Sequence, residues 1–176
     1  MTAQIPAQPG TSGPAPGPDA PGGTPYPDIA DTSHATAAAA AFFRSFFTAK
    51  TSKDIESTHA HFHPAKTAYF DATLGWALPT NADVRTMWEQ YMPQWPAGAK
   101  SYPTQILGDM TSAVVFTTDT PELFGGEIRT ISIADLQDGK LSAWWTTGTA
   151  AGSAPSSPPR CACPQIPTRT TSAQAQ

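Results

Sequence analysis

The chain has 176 residues, a net charge of -4 and a sequence pI near 5.4. It carries no basic run and no Lys/Arg stripe, so the electrostatic footprint of a nucleic-acid binder is missing. Nothing approaches the roughly 18 apolar residues of a membrane span, and the first residues lack a basic segment followed by an apolar one, so no secretory signal is read there. A cytoplasmic protein with no nucleic-acid and no membrane partner is the expectation.

Residues are unevenly distributed. Segment 1–33 is rich in Pro and Gly and holds no Leu, Val, Phe or Trp; segment 148–176 is rich in Pro, Ser, Thr and Ala, with Ile166 its one aliphatic larger than Ala. Such segments bury too little apolar surface to offset chain entropy, so both are expected to be disordered tails. All five Trp and all eight Phe lie between residues 42 and 145. The remaining segment, 34–147, has the size of one domain with one core. Cys161 and Cys163 fall in the C-terminal tail; a C-x-C pair neither makes a disulfide framework nor closes a zinc site.

The first element is "DTSHATAAAAAFFRSFFTAKT". Asp31, Thr32 or Ser33 can cap a helix there, alanines favour it, and Phe42, Phe43, Phe46 and Phe47 form one broad apolar stripe, with Arg44 and Lys50 off it. "TSKDIESTHAHFHP" restarts a helix, with Ser52 as cap, Ile55 and Phe62 seven apart on one face, and Pro64 as the stop. "KTAYFDATLGW" reads as a strand in which Tyr69, Asp71 and Thr73 share one face. "TNADVRTMWEQYMPQWP" is a third helix, capped by Asn81, striped by Val84, Met87, Trp88 and Tyr91, and stopped at Pro93. Four strands follow, at 101–109, 112–120, 126–139 and 140–146. "QDGK" is a two-residue hairpin signal, "GDMTS" is a second turn, and "LFGGE" gives backbone freedom for a bulge or bend. Helices first and hairpin strands after argue an α+β fold with helices on one face of a curved antiparallel sheet.

The order helix, helix, strand, short helix, long antiparallel strands resembles the nuclear transport factor 2-like (NTF2-like) superfamily, which includes SnoaL-like polyketide cyclases and ketosteroid isomerases. "AAAAFFRSFF", "DIESTHAHF" leading into "YFDATLGW", and "GEIRTISIADLQDGKLSAWW" carry the resemblance over about residues 35–146. It implies a cone: a bent sheet wrapped on helices, leaving a deep apolar pocket. It also implies a homodimer joined through the outer face of the sheet. The resemblance further implies a final strand continuing as "DYWDGR", where this chain reads "TTGTA" after Trp144-Trp145. One base lost from codons for Trp-Trp-Asp-Tyr-Trp-Asp-Gly yields Trp-Trp-Thr-Thr-Gly-Thr-Ala, so residues 146–176 are read as a frameshifted end.

Asp71 is the first candidate for chemistry. A carboxylate among Tyr69, Phe70 and Trp76 is raised in pKa by desolvation, toward useful proton transfer; the alternative is an Asp that bonds to the backbone of the turn at Gly75. His59, His61 and His63 form H-x-H-x-H. On a strand they would share a face; on a helix His61 is separated from the other two, and no Cys or Glu completes a metal site. His59 or His63 beside Asp71 is the functional reading, and solvated helix-end histidines the bland one. Tyr69 and Tyr91 can donate to a developing oxyanion. Trp76, Trp88, Tyr91, Trp144 and Phe46 are candidates for an aromatic pocket wall, with plain core packing the alternative for each. Asp109 and Asp119 are read as turn residues, and Glu127 with Arg129 as an ion pair on one strand face.

By resemblance, the expected function is a cofactor-independent enzyme acting on an apolar carbonyl compound, polyketide-like or steroid-like. It would move a proton or add water, as an isomerase, cyclase, dehydratase or hydrolase. Asp71 is the base, a histidine its partner, and Tyr69 or Tyr91 a donor. The other expectation is a non-catalytic ligand-binding or dimerisation module, since fold does not dictate function.

Overall fold

A computed structural model of the chain describes residues 24–150. The alanine-rich run forms α1 (Ala37–Thr51), and its stripe buries Phe43, Phe46 and Phe47. The cap is Thr36, whose side-chain oxygen accepts from Ala39 N–H. The earlier polar residues do not cap it. They extend as β1 (Asp31–Ala35), parallel to β4 (Ser101–Gly108). Order therefore begins before residue 34: Tyr26 is buried, stacks on Tyr102, and donates its hydroxyl to Arg44 O at 3.1 Å.

Ser52 closes α1, and Asp54 caps α2 (Ile55–His59) by accepting from Ser57 N–H. The helix expected to reach Phe62 stops at His59. The backbone after it is captured by β7 (Lys140–Ala150): Leu141 N–H donates to His61 O and His63 N–H to Leu141 O, both at 2.8 Å. Phe62 is thereby placed in the core.

The expected single strand at 66–76 folds back on itself. β2 (Ala68–Asp71) turns through residues 72–75, with Gly75 at φ 71°, into β3 (Trp76–Leu78), so Tyr69 lies opposite Leu78. α3 (Asn81–Tyr91) begins one residue earlier than expected. Thr80 accepts from Asp83 N–H while the Asp83 carboxylate accepts from Thr80 N–H, a reciprocal capping box. A 3-10 turn containing Pro93 ends it.

β4, β5 (Ser112–Asp119), β6 (Ile128–Gln137) and β7 form the long hairpin series. Asp138 (φ 52°) and Gly139 (φ 72°) make the tight β6–β7 turn that the Asp-Gly pair signals. At the β4–β5 turn Gly108 has φ 106°, and a Cβ there would lie 2.3 Å from Ser112 O, so no other residue fits. The stretch read as a bulge or bend, 123–127, ends a single helical turn, α4 (Pro121–Phe124), which Gly125 caps. Among the described residues the strands form one sheet in the order β1-β4-β5-β6-β7-β2-β3, with β2 parallel to β7. The sheet curves around α1 and α3 without closing, the expected cone-shaped α+β architecture, and Phe43, Phe46, Phe62, Trp88, Leu141 and Trp144 fill the space between.

β7 continues to Ala150, past the expected domain end at 147, and pairs with β6 from Thr146 opposite Ser132 to Ala150 opposite Ile128. Cys161, Cys163, most of both expected tails and most of the segment read as frameshifted lie outside the described residues. No described helix is long and apolar enough to cross a membrane.

Candidate active site

Alternation along β2 places Tyr69 and Asp71 on the helix-facing side of the sheet, and both are buried. Both line a cavity of about 110 Å³. α3 contributes Met87, Trp88 and Tyr91, the chain after it Trp95, and the β2–β3 hairpin Leu74 and Trp76. Lys50 reaches in from the last turn of α1, Asp119 from the end of β5, and Leu123 and Phe124 from α4. Trp76 and Tyr91 pack with ring centres 4.6 Å apart, and Trp88 meets Tyr69 edge-on at 6.3 Å.

Asp71 has two roles at once. Its Oδ1 accepts from the backbone N–H groups of Thr73 and Leu74, each at 2.9 Å, which fixes the turn into β3. The carboxylate also lines the cavity. Burial raises its pKa above the ordinary carboxylate value; the Leu74 and Thr73 N–H groups and the Lys50 charge oppose that rise, and Asp119 reinforces it. The Tyr69 phenol is pushed well above its ordinary value, first by burial, then by the charges of the nearby Asp71 and Asp119. Tyr69 is thus a neutral donor beside a carboxylate whose charged form is disfavoured.

Lys50 places its ammonium 5.4 Å from the Phe47 ring centre and 5.9 Å from those of Trp88 and Trp95, a cation held against aromatic faces. Two residues of the cavity lining each carry a buried polar atom with no hydrogen-bond partner: Trp88 Nε1, a donor, and Asp119 Oδ1, an acceptor.

The histidines expected beside Asp71 lie elsewhere. His59 Nε2 is 3.2 Å from Asn81 O, at the start of α3. His63 Nδ1 accepts from Ala65 and Lys66 N–H, and its Nε2 is 3.5 Å from Asp138 Oδ2 at the β6–β7 turn. His61 bonds to Ser57 O and Ser45 Oγ and packs its ring on Phe42 and Phe46. None of the three is in the cavity lining, because capture of residues 61–63 by β7 turns that segment toward the hairpin end of the sheet. No group of three or more His, Cys, Asp or Glu among the described residues could hold a metal ion. Trp144 and Phe46 also leave the wall: they pack on each other at 5.6 Å within the core. Tyr69, Asp71, Trp76, Trp88 and Tyr91 do meet in the cavity.

Asp119 and Lys50 entered as a turn residue and an off-stripe lysine. Their spacing held the signal. Asp119 follows Val115 and Thr117 at period two and so shares their inward face. Lys50 lies three residues after Phe47 and four after Phe46, on the helix face they occupy.

The chain has the NTF2-like, ketosteroid isomerase-like fold. A candidate ketosteroid isomerase from Kribbella flavida DSM 17836 superposes with a TM-score of 0.55 at 20% identity, covering 68% of this chain and 84% of that one. A candidate SnoaL-like polyketide cyclase from Shewanella denitrificans OS-217 gives 0.52 at 9%, covering 65% and 92%. An epoxide hydrolase of the LEH-like type from M. tuberculosis gives 0.52 at 15%, covering 65% and 84%. No protein-family model matches the chain, and no curated protein does.

Proposed function

We propose that this protein is a cofactor-independent acid–base enzyme that moves a proton, or adds water, on a small apolar carbonyl compound. The observation that carries the reading is the Asp71 carboxyl, buried beside Tyr69 in an aromatic cavity and raised in pKa by that burial. A base works best when its pKa approaches the working pH, and desolvation moves a carboxylate that way. Asp71 takes a proton from carbon next to the carbonyl. Tyr69, neutral, supplies a hydrogen bond as charge builds on oxygen. Lys50 holds positive charge at the wall and favours the ionised base. Asp71 is held by two backbone donors, so the base is oriented before substrate arrives.

Incorporation of solvent deuterium next to the carbonyl of small ketones tests this without knowledge of the natural substrate. Wild-type protein is expected to accelerate exchange and Asp71→Asn to lose it. Equal exchange in the two proteins removes Asp71 from the mechanism.

A second reading, a binding and dimerising module, draws on the other face of the sheet. Phe70, Trp145, Ile133 and Val114 are direct cross-strand neighbours on β2, β7, β6 and β5. Phe70, Trp145, Ile131 and Ile133 are exposed. A second copy covering this row forms a symmetric dimer. Light scattering of the full chain tests it, and a monomer at all concentrations rejects it.

A further inference from the structure

We propose that the cavity takes a neutral molecule of about one six-membered ring, carrying a hydroxyl-type donor for Asp119 Oδ1 and a separate acceptor for Trp88 Nε1–H. The proposal rests on the cavity being the functional site, and it names the ligand class that site admits.

Three features converge. The first is polar complementarity. Buried donors and acceptors in folded proteins are almost always paired, and leaving one unmade is costly. Trp88 is 3% exposed and its Nε1 is unpartnered; Asp119 Oδ1 is buried and unpartnered; both residues line one cavity. The pair demands one acceptor and one donor from whatever enters. A hydrocarbon satisfies neither, and a simple ketone satisfies only Trp88.

The second feature is charge. Asp71 and Asp119 both line the space and repel an anion. Lys50 already occupies the faces of Phe47, Trp88 and Trp95, where an ammonium ligand would otherwise settle, and repels a second cation. A neutral ligand meets neither penalty.

Size is the third. The cavity measures about 110 Å³. A cavity of roughly 150 Å³ lined by apolar side chains holds benzene, whereas drug-sized ligands occupy about 300–1,000 Å³. The enclosed space is smaller than that benzene cavity, so it encloses at most one small ring and not the four fused rings of a steroid. The remaining walls, Trp76, Tyr91 and Phe124 among them, offer flat aromatic contact to such a ring.

The test is a titration of full-length protein, labelled with 15N at its tryptophan indoles, using three probes: 2-hydroxycyclohexanone, cyclohexanone and progesterone. The Trp88 resonance is assigned by its loss in Trp88→Phe. 2-Hydroxycyclohexanone is expected to shift that resonance and to bind about tenfold tighter than cyclohexanone, the worth of one buried hydrogen bond. Asp119→Ala is expected to erase that tenfold preference while leaving cyclohexanone affinity unchanged. Progesterone is expected not to compete. An unmoved Trp88 resonance overturns the proposal. So does equal affinity for the two ketones, a preference that survives Asp119→Ala, or progesterone binding tighter than either. Binding is read at equilibrium and requires no turnover. Intact binding with no deuterium exchange in wild type therefore rejects the catalytic reading and leaves the ligand class standing.

Discussion

The two faces of the central sheet reverse the usual pattern near the cavity. On the helix-facing side, Asp71 lies beside Thr146, Ser132 donates to Thr146 Oγ1 at 2.9 Å, and Thr117 bonds to Thr130, leading to Asp119 at the end of β5. The outward side of the same strands carries Phe70, Val114, Phe116, Ile131, Ile133 and Trp145. A one-sided sheet ordinarily turns apolar residues in and polar residues out. Here that holds most fully at the hairpin end, where Leu136, Leu141 and Trp144 meet Phe46 and Phe62. Toward the other end the interior becomes polar and hollow. On these strands the inward face near the cavity carries hydroxyls and carboxylates, and the outward face carries Phe70, Ile131, Ile133 and Trp145.

The sharpest way to break this comparison is at Asp71. Asp71→Asn keeps an oxygen for the Thr73 and Leu74 N–H groups but no base. Proton exchange is expected to fall by about 10²–10⁴-fold, the usual worth of a general base, while the melting temperature holds. Loss of both together would make the residue structural only.

Trp144 and Trp145 come next, adjacent in sequence and opposite in orientation. Trp144→Ala removes a ring packed on Phe43 and Phe46 and is expected to cost about 3–5 kcal/mol in urea unfolding. Trp145 is 39% exposed and stacks on Phe70. Trp145→Glu is expected to change monomer stability far less and to dissociate the proposed dimer, as read by light scattering. Similar unfolding costs at the two positions would erase the distinction between the faces.

A smaller effect probes the polar interior. Thr146→Val leaves the buried Ser132 hydroxyl without its partner and is expected to cost about 1–3 kcal/mol. Adding Ser132→Ala is expected to recover part of that loss, since neither partner is then stranded. Strict additivity of the two unfolding energies would mean the hydroxyls do not act as a pair.

The smallest effect is a pH slope. Asp71 has a folded pKa raised above its unfolded value by burial, so the folded state holds its proton more tightly. Its contribution to stability is therefore full below the unfolded carboxylate pKa and is lost as pH rises through the folded one. Wild type is expected to lose a little stability across that window and Asp71→Asn to lose less, measured by unfolding at stepped pH. The proposed activity is expected to run the opposite way and to rise as Asp71 ionises, with its acid limb shifted up from the ordinary carboxylate value. Identical slopes in the two proteins would place the Asp71 titration outside this window.

Much of this architecture was legible from local pattern. The phenylalanine spacing of α1, the Asp-Gly turn between β6 and β7 and the alternation on β2 each depend on neighbours within a few residues, and each fixes a face. That was enough to place Tyr69 and Asp71 together and to turn Trp88 toward them. Tertiary structure decided the rest, because those choices are made by partners distant in sequence. β1 exists only because β4 is there to pair with residues 31–35, where local signals favoured a helix cap. The histidines left the site because Leu141, some eighty residues on, hydrogen-bonds the backbone of His61 and His63. Asp119 became a cavity carboxylate because sheet curvature brings the end of β5 to β2, strands that the order β5-β6-β7-β2 keeps apart. Periodicity tells a residue which way to face; only the curved sheet says what it faces.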